Sequence, residues 1–243
     1  MNVKDSWQEI QILILVLTVS YWDVVEVSSI RLPGRESRSK EPFATTMEFI
    51  VAEISNALLP ILQDMPFAFF GHSMGSYVAF MTALHLKVQV TTSALFLSSA
   101  NPPYKSPFFG SHISSISEEQ MLHFVMNNDD TSKGPYIIKH IHTDYYNLTA
   151  ASRFMEGAPN QDQGGVIVTE CFVKPSKTPL SCDITCFSGT EDIVYEMEGW
   201  KNITSGSVES HKLPEGHFYL INPSNETFII NHITRCLEIS YFA

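Results

Sequence analysis

Apolar and polar positions alternate along the chain in blocks, with short apolar runs separated by longer stretches of helical period. VVEVSSI (24–30) is β-rich and ends at the turn signal Leu32-Pro33-Gly34. Thr45 to Gln63 reads as a helix: Thr45 and Glu48 form a capping box, and Ile50, Ile54, Ala57, Leu58 and Ile61 recur on one face. Pro60 is expected to kink or shorten its end. Pro66 to Phe70 is continuously apolar, as a strand covered on both faces must be. Ser76 to Lys87 is helical in pattern, and strands are predicted at Ala94 to Leu97, Ile184 to Phe187 and about Val208 to Leu213. Glu226 to Ser240 closes the series as a helix, with Phe228, Ile229, His232, Ile233 and Cys236 toward the core. Strands alternating with helices imply a single α/β domain over 1–243 with a mainly parallel sheet.

Two segments break the pattern. From about 103 to 179 the separation between two sheet strands is filled by helical pieces, one starting at Ser117-Glu118-Glu119-Gln120 and one near Tyr136 to Tyr146. An insertion of this length over one end of a parallel sheet is expected to be a helical lid over a substrate pocket; the plainer alternative is an excursion without a role. The other segment is QILILVLTVSYW (11–22). It is too short for a membrane span, and the residues before it carry Lys4 against Asp5 and Glu9 rather than a basic start. We read it as a buried strand; a signal-like segment and a segment outside the fold are the alternatives.

Composition narrows the function classes. The chain has 243 residues, 44% hydrophobic and 17% charged, with a formal net charge of −11. Such a charge argues against a nucleic-acid partner, and nothing points to stable membrane association. One local exception is Arg31, Arg35, Arg38 and Lys40 in RLPGRESRSK, either a docking patch for an acidic partner or a solvated loop. The four cysteines, at 171, 182, 186 and 236, show no paired zinc spacing and no disulfide framework. Buried thiols in a reducing, cytoplasmic setting are the simplest reading. Sequons at Asn147, Asn202 and Asn225 carry little weight without a secretory route. No cofactor and no metal is implied.

The chemistry is concentrated in PFAFFGHSMGSYVAF (66–80). Gly71-His72-Ser73-Met74-Gly75 is a G-x-S-x-G motif with a strand before it and a helix after it. In that context the serine sits on a strained strand-to-helix turn that presents its hydroxyl at the sheet edge, and the flanking glycines remove clashes. Ser73 is therefore the candidate nucleophile, and the Met74 amide, at the helix N-terminus, is the candidate oxyanion donor. A serine needs a base, and the base an orienting acid, in the chain order serine, acid, histidine. CDITCFSGTEDIV supplies a strand followed by Asp192, the favoured acid; Glu191 is adjacent and Asp183 stands at the strand's other end. Of nine histidines, His217 in LPEGHFYL follows a strand and precedes the last helix, as the base should. His72 occupies the motif's variable position and is expected to lie beside the turn, outside the triad.

At these residues the sequence resembles the type II thioesterases of the α/β-hydrolase fold. The matching segments are RLPGRESR (31–38), PFAFFGHSMGSYVAF (66–80), LFLSSA (95–100), LSCDITCFSGTEDI (180–193), MEGWKNITSG (197–206) and LPEGHFYL (213–220). The family's triad falls on Ser73, Asp192 and His217. The resemblance implies hydrolysis of the thioester between a medium-chain fatty acyl group and the phosphopantetheine arm of the acyl carrier protein domain of fatty acid synthase. It also implies a helical lid that forms the acyl pocket. A broad serine esterase or lipase with the same triad, and a catalytically impaired acyl-binding homologue, are the competing readings. Two departures stand out. Family members begin with a strand ending in a phenylalanine-proline, glycine-rich loop that supplies a second oxyanion amide. Here the first twenty-two residues hold no glycine and no proline, so the N-terminal strand region is expected to be atypical or truncated. Ile12 to Val19 is apolar enough to fill the vacant strand position, followed by the bulky Ser20-Tyr21-Trp22-Asp23 where that loop would be. The second departure is the stretch 147–177, which matches poorly and lacks a clear counterpart to the family's arginine-alanine-aspartate run.

Overall fold

The computed structural model describes residues 14–19, 25–34, 36–42, 44, 46–63, 66–105 and 180–242. The anticipated lid from residue 106 onward, Arg35, Thr45, and the sequon at Asn147 lie outside them. The elements are β1 (Ile14–Val19), β2 (Val25–Ser29), α1 (Met47–Leu62), β3 (Phe67–His72), α2 (Met74–Leu86), β4 (Thr92–Ser98), β5 (Asp183–Gly189), β6 (Val208–Leu213) and α3 (Pro223–Phe242).

The described strands form one six-stranded sheet in the order β2-β1-β3-β4-β5-β6. β3 through β6 run parallel to one another, whereas β1 is antiparallel to both its neighbours. The apolar character of the strands follows from cover on both faces. On one face Val16, Phe67, Phe69, Leu95, Leu97, Ile184 and Cys186 pack with α1 and α2. Their alternates, Leu15, Leu17, Ala68, Phe70, Phe96, Phe187 and Leu213, pack with Ile229, Ile233 and Leu237 of α3. Every residue of β3 is buried. Each large side chain so buried contributes about 2 kcal/mol.

α1 follows prediction in extent and departs from it in detail. Thr46 is the N-cap, its Oγ1 accepting from the Phe49 amide at 3.2 Å. Thr45 is thus displaced from that role by one position. The buried face is Met47, Ile50, Val51, Ile54 and Leu62, while Ile61 is half exposed and Ala57 exposed. The buried face is thus rotated slightly from the one read in the sequence, with Val51 and Leu62 in the core cluster alongside α2 and the sheet. Pro60 is tolerated in the last turn, and the helix stops two residues later.

The 11–22 segment does enter the sheet as a strand, at Ile14–Val19, between β2 and β3. Its direction decides what it can offer. Ile14 pairs with Gly71 at the sheet edge where β3 ends, and Thr18 pairs with Phe67 where β3 begins. Val19 and Val25, which bound the segment 20–24, therefore lie at the edge opposite Ser73.

The basic loop is held by its own counter-charges. Arg38 donates to Glu41 Oε1 at 2.8 Å and Oε2 at 2.6 Å, to Glu53 Oε1 of α1 at 2.6 Å and to the Arg31 carbonyl at 3.0 Å. The bonds from Glu41 and Glu53 push its guanidinium pKa further up. Arg38 thus ties the loop to α1, with its charge neutralised locally, and is no free docking cation.

Candidate active site

Among the described residues, three that are not glycine have positive φ: Ser73 (φ 53°) after β3, Ser99 (φ 51°) after β4 and Glu215 (φ 86°) after β6. All follow the C-terminal ends of parallel strands, so local strain is gathered on one edge of the sheet, as at sites where backbone is held for a purpose. Ser73 combines φ 53° with ψ −119° and is immediately followed by α2. Its amide donates to the Ser98 carbonyl at 2.8 Å, pinning the turn to β4. Gly71 is obligatory here: a Cβ at that position would lie 2.2 Å from the Gly75 carbonyl oxygen. Ser76 braces the same turn, its Oγ 2.7 Å from the Gly71 carbonyl and 2.9 Å from that of Ser98. The Met74 amide opens α2, where the helix dipole favours negative charge.

Asp192 and His217 meet at the same edge. β5 delivers Asp192 three residues beyond Gly189, which is confined by the carbonyls of Glu215 and Gly216, each 2.3 Å from where a Cβ would stand. β6 delivers His217 through the strained turn at Glu215. His217 Nδ1 lies 2.9 Å from Asp192 Oδ2. The Asp192 side chain is 2% exposed and that of His217 23%, so the pair has a shielded acid and a reachable base. Burial alone would raise the Asp192 carboxyl. The hydrogen bond and charge of His217, with bonds from Ser99 Oγ (2.8 Å) and the Ile193 amide (2.8 Å), outweigh burial and hold it below the ordinary carboxylate value.

The alternatives for the acid are placed elsewhere. Asp183 starts β5 at the far end and accepts from the Ser207 amide at 2.7 Å. Glu191 is exposed, and its amide donates to the Glu215 carbonyl at 3.0 Å. His72 lies beside the turn, as expected of the variable position. Its ring is buried 4.8 Å from that of His217, and its Nδ1 is 2.7 Å from Ser98 Oγ, which in turn is 2.6 Å from Tyr219 OH. Burial, then the nearby His217, keeps His72 well below the usual histidine pKa. It brings the serine turn and the His217 loop together.

Sequence reasoning missed Ser99, Tyr195 and Tyr219. Ser99 donates to the acid; Tyr195 OH stands 3.3 Å from His217 Nδ1, its pKa raised first by burial and then by the Asp192 charge. The doubled serine closing LFLSSA was the available signal. The two tyrosines are recognisable only once the loops are folded.

A family profile described as Thioesterase domain matches residues 19–237. The chain belongs to the thioesterase family. Among its relatives, this thioesterase is 44% identical over 223 residues to the human protein named S-acyl fatty acid synthase thioesterase, medium chain, covering 90% of this chain and 79% of that protein. The rat protein of the same name is 42% identical over 221 residues, covering 90% of this chain and 80% of that one. Among solved structures, human thioesterase 2 matches with a TM-score of 0.58 at 42% identity, over 79% of this chain and 82% of that one. The mostly parallel sheet of this thioesterase, flanked by helices, has the architecture of thioesterases of the α/β-hydrolase type.

Proposed function

We propose that this thioesterase hydrolyses fatty acyl thioesters carried on the phosphopantetheine arm of the acyl carrier protein domain of fatty acid synthase, releasing medium-chain acids. The names of the 44% and 42% identical relatives support the substrate class. The observation that carries the chemistry is the partly buried Asp192–His217 hydrogen bond at the sheet edge where the strained Ser73 turn emerges.

In this reading Ser73 Oγ attacks the thioester carbonyl while His217 takes its proton. The Met74 amide stabilises the oxyanion. The C–S bond breaks, and the carrier thiolate leaves with the proton from His217. Water, deprotonated by His217, then attacks the acyl-Ser73 ester, and the free acid departs as the serine recovers its proton. Asp192, bound to Nδ1, fixes the tautomer in which the other ring nitrogen is the base, and stabilises the imidazolium. The helical lid anticipated over about 103–179 falls, beyond Lys105, outside the described residues. Buried Cys182 and Cys186, both pushed up to about 12 by burial, are compatible with a reducing, cytoplasmic setting. No described helix is long and apolar enough to cross a membrane.

A second reading, an impaired acyl-binding homologue, is favoured by the antiparallel course of β1. A strand running toward the active edge would deliver a second oxyanion amide, whereas β1 ends at the other edge. Turnover of decanoyl-ACP by purified protein tests the first reading. Absence of both fluorophosphonate labelling and turnover supports the second, and equal turnover of oxygen esters would favour a general esterase.

A further inference from the structure

Away from the active edge, β6 and α3 bring ligand-type side chains together. Glu209, His211 and Leu213 are at i, i+2 and i+4 on β6 and so project on one face of the strand. Leu213 packs with Ile229 and Ile233 of α3, so this is the face that α3 covers. His232 and Cys236 stand one turn apart on that helix. The ligand atoms of Glu209, His211 and His232 all lie within 4.8 Å of one another. His211 Nε2 is 3.1 Å from Glu209 Oε1, and His232 Nε2 is 4.0 Å from Glu209 Oε2. Ligand atoms around a tetrahedral zinc ion are roughly 3.3–3.7 Å apart, so side-chain rotations that close the wider gaps by about 1 Å would bring the three atoms to ligating distance.

The two rings have a packing explanation: His211 stacks on Phe187 at 5.5 Å and His232 on Phe228 at 6.3 Å. Packing does not account for where the nitrogens face. His211 Nε2 is shielded from solvent and makes no aligned hydrogen bond, despite the carboxylate beside it. His232 Nε2 has a long contact to Thr185 Oγ1, at 3.4 Å, and lies 3.4 Å from the Cys236 sulfur.

We infer that Glu209, His211 and His232 form a binding site for a zinc-class divalent cation that ties β6 to α3. Two imidazoles and a carboxylate are a donor set that zinc accepts, with a fourth position left for water. The nearby thiol of Cys236 and the nitrogen-rich set disfavour magnesium and calcium, which demand oxygen ligands. β6 and α3 flank the His217 loop on either side in sequence, so the cation would clamp the frame of that loop without entering the active edge.

The test uses the untagged full chain, with Zn²⁺ followed by calorimetry and metal analysis, and Co²⁺ by absorption. One ion per chain is expected, with a rise in Tm on the order of 5 °C at saturation. Glu209→Gln, on a largely exposed side chain that the fold does not need, should weaken Zn²⁺ affinity at least about tenfold, and His232→Ala should abolish it. His217→Ala should leave the stoichiometry at one. Absence of binding to the native chain, binding unchanged in both Glu209→Gln and His232→Ala, or binding lost with His217→Ala would each overturn the inference.

Discussion

Ser99 Oγ and His217 Nδ1 converge on one oxygen of Asp192, at 2.8 and 2.9 Å. The hydroxyl comes from the end of β4 and the imidazole from the loop after β6, so the acid in the loop after β5 is gripped from both neighbouring strands. Its other oxygen accepts from the Ile193 amide of its own loop at 2.8 Å. Asp192→Asn should therefore slow turnover about 10⁴-fold through the wrong histidine tautomer. Ser99→Ala should cost less, about tenfold, with KM unchanged and the acidic limb of the pH–rate profile displaced upward. Glu191→Gln should change neither parameter. Steady-state kinetics on decanoyl-ACP over pH 5–9 separates the three.

Ser73→Ala removes one oxygen from a turn whose backbone is held by the Ser98 carbonyl and by Ser76. Turnover and fluorophosphonate labelling should vanish while Tm and circular dichroism stay as in the native protein. Persistent turnover would move the nucleophile elsewhere.

Gly71→Ala places a methyl group 2.2 Å from a backbone oxygen that has no rotamer to escape through. The turn must open, and destabilisation of more than about 3 kcal/mol is expected, measured by urea unfolding. A folded, active Gly71→Ala protein would mean that the β3–α2 junction is looser than these contacts imply.

His72 is buried and neutral, with its pKa well below 6.5, and His232 is lowered in the same direction. Below about pH 6.5 the unfolded chain takes up protons that the folded chain refuses, so stability should fall on acidification from that point and be flat, for these groups, above it. Asp192 adds a second loss at lower pH, as the pH drops below 3.8 and the carboxylate is protonated through its depressed pKa. Unfolding midpoints measured from pH 8 to 4 should show the first decline, and His72→Asn should make it shallower.

Replacing residues 20–23 by a phenylalanine-proline, glycine-rich loop should leave the turnover rate unchanged within about twofold. The sequence suggests such a graft to complete the oxyanion hole, but Val19 and Val25, the described residues on either side, lie at the edge away from Ser73. Turnover faster by about a hundredfold or more, the typical worth of one oxyanion donor, would require a different course for β1.

The order of the described elements, and the residues proposed to carry the chemistry, could be read from the chain alone. A continuously apolar β3, the glycine-bracketed Ser73 and the strand-then-loop settings of Asp192 and His217 are local patterns, and local backbone geometry and burial leave them few alternatives. The strand at 14–19 was legible for the same reason. Its direction was not: an apolar run satisfies a sheet equally well parallel or antiparallel, and only the short connection to β2 and the pairing with β3 decide between them. The roles of Ser99, Tyr195 and Tyr219 also needed the fold, since each reaches its partner across more than ninety residues or between separate loops. Arg38 shows the limit most plainly. In the chain it is one of four basic residues in a loop; in the fold Glu53, brought alongside by α1, neutralises it, because a salt bridge depends on distance in space and not on spacing in sequence.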